Sequence, residues 1–172
     1  MKVRSIGLVV LFVTIILCNN TVYSFRCGDN NVHNCMSGQI CLIQKDKDYQ
    51  CVYRYDDITI EQNITNSWIN NERDQNILVQ VLIKNNNIKK TIENMVLGTI
   101  NFNPSSIWGS GLQFDSNLDE IKIDQISITP FKTYHFGYIS KSDSPASFSP
   151  KFLTIIDQVS PKSNVNKMKI IN

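Results

Sequence analysis

The stretch Asn76-Ile77-Leu78-Val79-Gln80-Val81-Leu82-Ile83-Lys84-Asn85-Asn86-Asn87 decides the fold. Ile77, Val79, Val81 and Ile83 recur at every second position, with Gln80 and Lys84 between them. Side chains alternate across a strand, so this spacing gathers the apolar residues on one face and the polar ones on the other. The Asn85-Asn86-Asn87 run then predicts a turn, because asparagine tolerates left-handed backbone.

The same pattern extends in both directions. Upstream, Ile58, Ile60 and Gln62 alternate with polar neighbours. Downstream, Ile92 to Phe102 is a second long apolar stretch, stopped by Asn103-Pro104, and Gly109 and Gly111 mark a tight turn beside Trp108. Ile121, Ile123, Ile126 and Ile128 predict another strand, with the slip in period between 123 and 126 read as a bulge. Tyr134, Phe136 and Tyr138 share one face of the next. Ser144-Pro145-Ala146 leads into a last strand around Phe148 to Ile156. Seven or so short strands with no sustained helical period predict an all-β fold, an antiparallel β-sandwich over residues 57–156. About a hundred residues is enough for one core.

The two ends read differently. Lys2 and Arg4 precede an apolar run from Ile6 to Cys18, and Val22 and Ser24 suit a cut before Phe25, so residues 1–24 are expected to be a signal peptide. The run is short for a bilayer span, and no second hydrophobic segment follows. After Asp157 the chain turns polar and lysine-rich, and residues 157–172 are expected to form a disordered tail. The chain holds 17 Lys and Arg against 15 Asp and Glu; without Lys2 and Arg4 the count is 15 against 15. A neutral mature protein gives no reason to expect nucleic acid or an anionic membrane as partner.

Cys27, Cys35, Cys41 and Cys51 fall inside residues 25–55, a segment rich in Asn, Asp, Gly and Gln and poor in aliphatics. Four clustered cysteines behind a secretion signal predict two disulfides, in any of three pairings, holding a small module in front of the sandwich. Zinc is the weaker reading, since there is no CxxC pair and His33 is the only histidine nearby. No metal and no cofactor are implied. Asn63-Ile64-Thr65 is an N-glycosylation acceptor.

Catalytic chemistry finds little support. Glycoside hydrolysis needs two opposed carboxylates in a cleft. Asp115, Asp119, Glu120 and Asp124 instead fall at turn-like or alternating positions, as a solvated face does. His135 sits between two strand aromatics, where it reads as a cross-strand partner. The aromatics are more telling. Trp68 stands in the polar stretch Asn66-Ser67-Trp68-Ile69-Asn70, and Trp108 lies between Ile107 and the Gly109 turn. Either tryptophan could fill a sandwich core or lie at a rim and stack on a sugar ring.

From Thr59 to Ile155 the chain resembles carbohydrate-binding module family 49. The resemblance rests on Ser67-Trp68, on Val79-Gln80-Val81 through Lys84-Asn85-Asn86, and on Lys90-Thr91-Ile92 with Leu97. Ile107-Trp108-Gly109 follows, then Thr129-Pro130 with Tyr134 to Ile139, and Ser144-Pro145-Ala146-Ser147-Phe148. The resemblance implies a β-sandwich that binds cellulose through surface aromatics. Trp68 and Trp108 match two of the family's tryptophans, and Tyr138 is the third candidate. A further tryptophan expected shortly before Thr129 has no counterpart, since Leu118 to Gln125 contains no aromatic. A soluble glucan or a glycoprotein glycan is therefore an alternative to crystalline cellulose.

The expectation from sequence is thus a secreted, non-enzymatic protein that binds polysaccharide in an extracellular matrix or coat. A structural module that contacts other matrix proteins and has lost sugar binding is the alternative. Burial of both tryptophans would favour that second reading.

Overall fold

The computed structural model describes residues 24–28, 33–44, 48–70 and 72–157. Residues 1–23 of the expected signal peptide and 158–172 of the expected tail lie outside the described residues, while Ser24 and Asp157, assigned to them, lie in strands. Within them the chain is all β. The strands are β1 (Ser24–Cys27), β2 (His33–Met36), β3 (Ile40–Gln44), β4 (Tyr49–Val52), β5 (Ile58–Ile69) and β6 (Gln75–Asn85). They continue with β7 (Lys90–Ile100), β8 (Pro104–Gly109), β9 (Leu112–Asp115), β10 (Glu120–Ile123), β11 (Thr133–Ser140) and β12 (Ser147–Asp157). No helix among the described residues is long and apolar enough to cross a membrane.

Two sheets face each other across one core. The larger has the order β4-β3-β12-β7-β10-β9, the smaller β5-β6-β11-β8. The alternation read from residues 77–83 is realised in β6. Ile77, Val79, Val81 and Ile83 are all buried, while Gln80 and Lys84 face outward. From the other sheet come Ile92, Met95, Leu97, Ile121, Ile123, Leu153 and Ile155, all buried against them. Phe102 makes edge contacts with Phe114, Tyr138 and Phe148 at centroid distances of 4.9, 5.0 and 5.3 Å. Offset and edge-on packing of this kind suits the aromatic quadrupole.

Asn85 pins one end of the sandwich. It is fully buried at the end of β6, and its Nδ2 donates to the carbonyls of Lys90 and Ile128, each at 2.8 Å. Its Oδ1 accepts from Asn87 N, so the turn expected at the Asn run is built around this side chain.

The cysteine segment contributes more than a separate small module. Cys27 pairs with Cys41 and Cys35 with Cys51, which fixes the connectivity that spacing alone left open. The bonds tie the β1–β2 hairpin to β3 and β4. Strand β3 runs parallel to β12, with Cys41 opposite Phe152, and so joins the larger sheet. Ile40 and Leu42 enter the main core, and Phe25 packs edge-on against Phe152 at 5.1 Å.

One local expectation is corrected. The period slip between Ile123 and Ile126 is the end of a strand, not a bulge. β10 stops at Ile123, Gln125 takes a left-handed conformation (φ 56°), and Ile128 forms an isolated bridge with Ile92. True register shifts lie elsewhere, among them one in β5 between Ile64 and Asn66.

Candidate carbohydrate-binding face

Directly opposed residues in an antiparallel pair point to the same side of the sheet. The outward side of the four-stranded sheet can therefore be traced from β6. Gln80 faces Asn63 on β5 and Gly137 on β11, and Gly137 in turn faces Trp108 on β8. Asn63, Gln80, Gly137 and Trp108 thus form one row across all four strands. The neighbouring rows are Asn66, Leu78, Ile139 and Ser106 on one side, and Glu61, Leu82 and His135 on the other. Beyond the β5 register shift, Trp68 pairs with Asn76, which puts it on this same outward side.

Both tryptophans are open to solvent, Trp68 at 37% and Trp108 at 46% of full exposure. Neither fills the core. They stand on the two edge strands, offset along the sheet by four residues of β6. Strand spacing and rise per residue put their Cα atoms about 20 Å apart on the diagonal.

Trp108 is held by an absence of side chain. A methyl group built on Gly137 would lie 2.6 Å from Cε2 of the indole and 2.9 Å from Nε1. The indole therefore spreads over the bare backbone of β11, one side packed on it and the rest facing solvent. Beside it runs a shallow groove of about 410 Å³ whose walls include Thr65, Leu78, Gln80 and His135. Hydrogen-bonding groups line it, and among the described residues neither lysine, arginine nor carboxylate does. Gly137, Gln80 and His135 were not expected at the site from the sequence, where Gln80 reads as a polar-face residue and His135 as a cross-strand partner. A glycine inside an aromatic strand, Tyr134-His135-Phe136-Gly137-Tyr138, is the signal that marks a close approach to the backbone.

Tyr138 does not join this face. It lies on the inward side of β11 and has no exposed surface. Its hydroxyl donates to Gln62 Oε1 (3.0 Å) and accepts from Ala146 N (2.9 Å), and burial pushes its pKa above the usual phenol value. The alternation Tyr134, Phe136, Tyr138 required this placement, so Tyr138 is a core residue and cannot stack on a ligand. Asn63 is exposed on the edge strand β5.

Two of the four acidic residues are engaged singly, and the other two show no side-chain partner among the described residues. Glu120 pairs with Lys151 at 2.9 Å, and Asp115 caps a turn by accepting from Asn117 N at 3.0 Å. Asp119 contributes its main-chain carbonyl to Thr99, and Asp124 is exposed. Among the described residues, the cluster of donors close enough for a metal is Cys27, Cys35 and Cys51, whose sulfurs are used in disulfides. A larger concavity, about 950 Å³, lies between the cysteine segment and the sheets, with Phe25, Tyr53, Ile58 and Lys151 in its walls. It holds neither tryptophan.

A β-sandwich that presents exposed indoles and amide side chains on one open sheet face has the build of a carbohydrate-binding module. Residues 58–142 match the family described as Carbohydrate binding domain CBM49, and the β domain belongs to that family. The match begins at the first residue of β5 and ends just after β11, so it contains both tryptophans. No curated protein matches the chain. Among solved structures, an inactive mutant of a GH20 exo β-N-acetylglucosaminidase from Vibrio harveyi is similar at 12% identity and a TM-score of 0.40. The likeness covers 62% of this chain and 19% of that one, and is too slight to bear on ligand or activity.

Proposed function

We propose that this is a secreted, non-catalytic polysaccharide-binding protein that holds cellulose or a related β-glucan on the outward side of the β5-β6-β11-β8 sheet. Exposure of both tryptophans on that one side carries the reading. A half-exposed indole offers the apolar, electron-rich ring face that the C–H groups of a pyranose prefer. Gln80, Asn66 and Ser106 supply neutral hydrogen-bonding groups for the hydroxyls. The two disulfides suit an oxidising extracellular compartment such as a matrix or coat.

The placement of the rings bears on the kind of glucan. Two platforms about 20 Å apart on a diagonal fit one chain crossing a twisted sheet better than the flat surface of a crystal. Amorphous or soluble β-glucan is therefore the favoured form of the ligand.

The test is depletion of the oxidised protein by amorphous cellulose, microcrystalline cellulose and chitin. Trp108→Ala and Trp68→Ala run beside it, with a salt titration. Depletion strongest on amorphous cellulose, insensitive to salt and weakened about tenfold or more by Trp108→Ala, is expected. Depletion by none of the three would overturn the reading and leave a module for protein contacts in the matrix.

A further inference from the structure

We infer that Asn63 carries an N-linked glycan that lies across the tryptophan face, so that the glycosylated protein is closed to polysaccharide and the bare protein is open. The first observation is positional. The acceptor Asn63-Ile64-Thr65 lies on the very side of the sheet that holds both indoles, and Asn63 stands in the row that ends at Trp108. Had β5 been one residue out of register, the acceptor would point into the core.

The second observation is that Asn63 is unengaged. Asn66, Asn70, Asn85, Asn86 and Asn87 all spend their side chains on turns, strand ends or neighbouring hydroxyls. The Asn63 amide is exposed and makes no hydrogen bond among the described residues. Strand β5 is also an edge of its sheet, so among the described residues no further strand obstructs a bulky substituent.

The third observation concerns reach and chemistry. The Trp108 indole lies over Gly137, two strands from Asn63, which is about 10 Å. The asparagine side chain and the first two N-acetylglucosamine residues of a glycan can bridge that distance. The path crosses Gln80 and enters the groove, where a pyranose meets the indole as a free glucan would. A tethered sugar also has a high effective concentration at a site within its reach, so a weak contact suffices to occupy it. Thr65, the acceptor threonine, forms part of the groove wall, and its hydroxyl donates to the Leu78 carbonyl at 3.2 Å.

This inference rests on the polysaccharide-binding reading for its consequence but not for its geometry, and the experiment separates the two. The full chain is secreted from a eukaryotic host, and its mass is measured before and after enzymatic release of N-glycans. Asn63→Gln from the same host provides a bare form that does not depend on enzyme treatment. Acrylamide quenching of tryptophan fluorescence in a Trp68→Phe background reports Trp108 alone, and depletion by amorphous cellulose reports binding. We expect a glycan on Asn63, Trp108 shielded from quencher while it is present, and depletion about tenfold weaker than for either bare form. Absence of the glycan mass overturns the inference, as does equal quenching or equal depletion by glycosylated and bare protein. Shielding of Trp108 with no depletion by any form would sink the polysaccharide reading instead and leave the glycan cover standing.

Discussion

Gly137 faces Trp108 across the β8–β11 pair, and the space above its Cα is filled by the indole. A side chain there competes with the ring for the same volume, while the extended backbone accepts any residue. Gly137→Val should therefore lift the indole from the sheet without disturbing the strand. Better β-propensity and lost ring packing act in opposite directions, so thermal stability should change by no more than about 1 kcal/mol. Glucan binding should fall nearly as far as in Trp108→Ala, and depletion alongside calorimetry checks both halves. Tyr138 behaves in the opposite manner. Tyr138→Phe keeps the packing but strips the hydroxyl from Gln62 and from Ala146 N. Leaving those groups short of a partner should cost about 1–3 kcal/mol with no effect on binding beyond that of lost stability. At this scale the sequence separated the two residue types poorly. Alternation assigned Tyr138 to the inward side of its strand, yet an aromatic beside a glycine also suits a rim. For Trp68 and Trp108, polar neighbours pointed outward while aromatic bulk pointed inward, and only the pairing register decides between them.

Among the elements, β6 was the easiest to read because Ile77, Val79, Val81 and Ile83 alternate without a break on its inward face, with Gln80 and Lys84 exposed on the other. Its neighbours were harder for identifiable reasons. β5 shifts register between Ile64 and Asn66, so the outward set changes from odd to even numbers and a period-two pattern breaks in its middle. β9 and β10 are four residues each, too short for alternation to show. The parallel pairing of β3 with β12 joins residues more than a hundred positions apart and leaves no local trace. The Asn85 corner combines a legible part and a hidden one. The Asn run marked the turn, but an asparagine buried to donate to the carbonyls of Lys90 and Ile128 is visible only in three dimensions. Asn85→Ala leaves the carbonyls of Lys90 and Ile128 without this donor inside the fold, and loosens the turn at Asn87. We expect about 2–4 kcal/mol of destabilisation in urea unfolding. Asn86→Ala, which removes a bond to the Thr59 hydroxyl at a partly buried site, should cost less than half as much. Equal costs for the two would mean that the Asn85 side chain is no pin.

For the molecule as a whole, the open question raised by composition is whether the cysteine segment is a unit of its own. Two features bind it into the sandwich. β3 and β4 extend the larger sheet, and Ile40 and Leu42 pack in the common core. Two others set it apart, since both disulfides lie wholly within it and the family match starts only at residue 58. Reduction discriminates between these. The bridges span 14 and 16 residues, and closing a loop of that size is worth about 3 kcal/mol in the chain-entropy model. If the segment shares the core, that loss is felt by the whole molecule. With both bridges lost, calorimetry should then show one transition in both states, shifted down by about 10–25 °C on reduction. An independent module would instead give two transitions, with only the first sensitive to reductant. The tryptophan face belongs to the sheet that contains no cysteine. Below the lowered midpoint the reduced protein should therefore deplete on amorphous cellulose as the oxidised one does, so that stability is coupled across the molecule while recognition stays with one sheet.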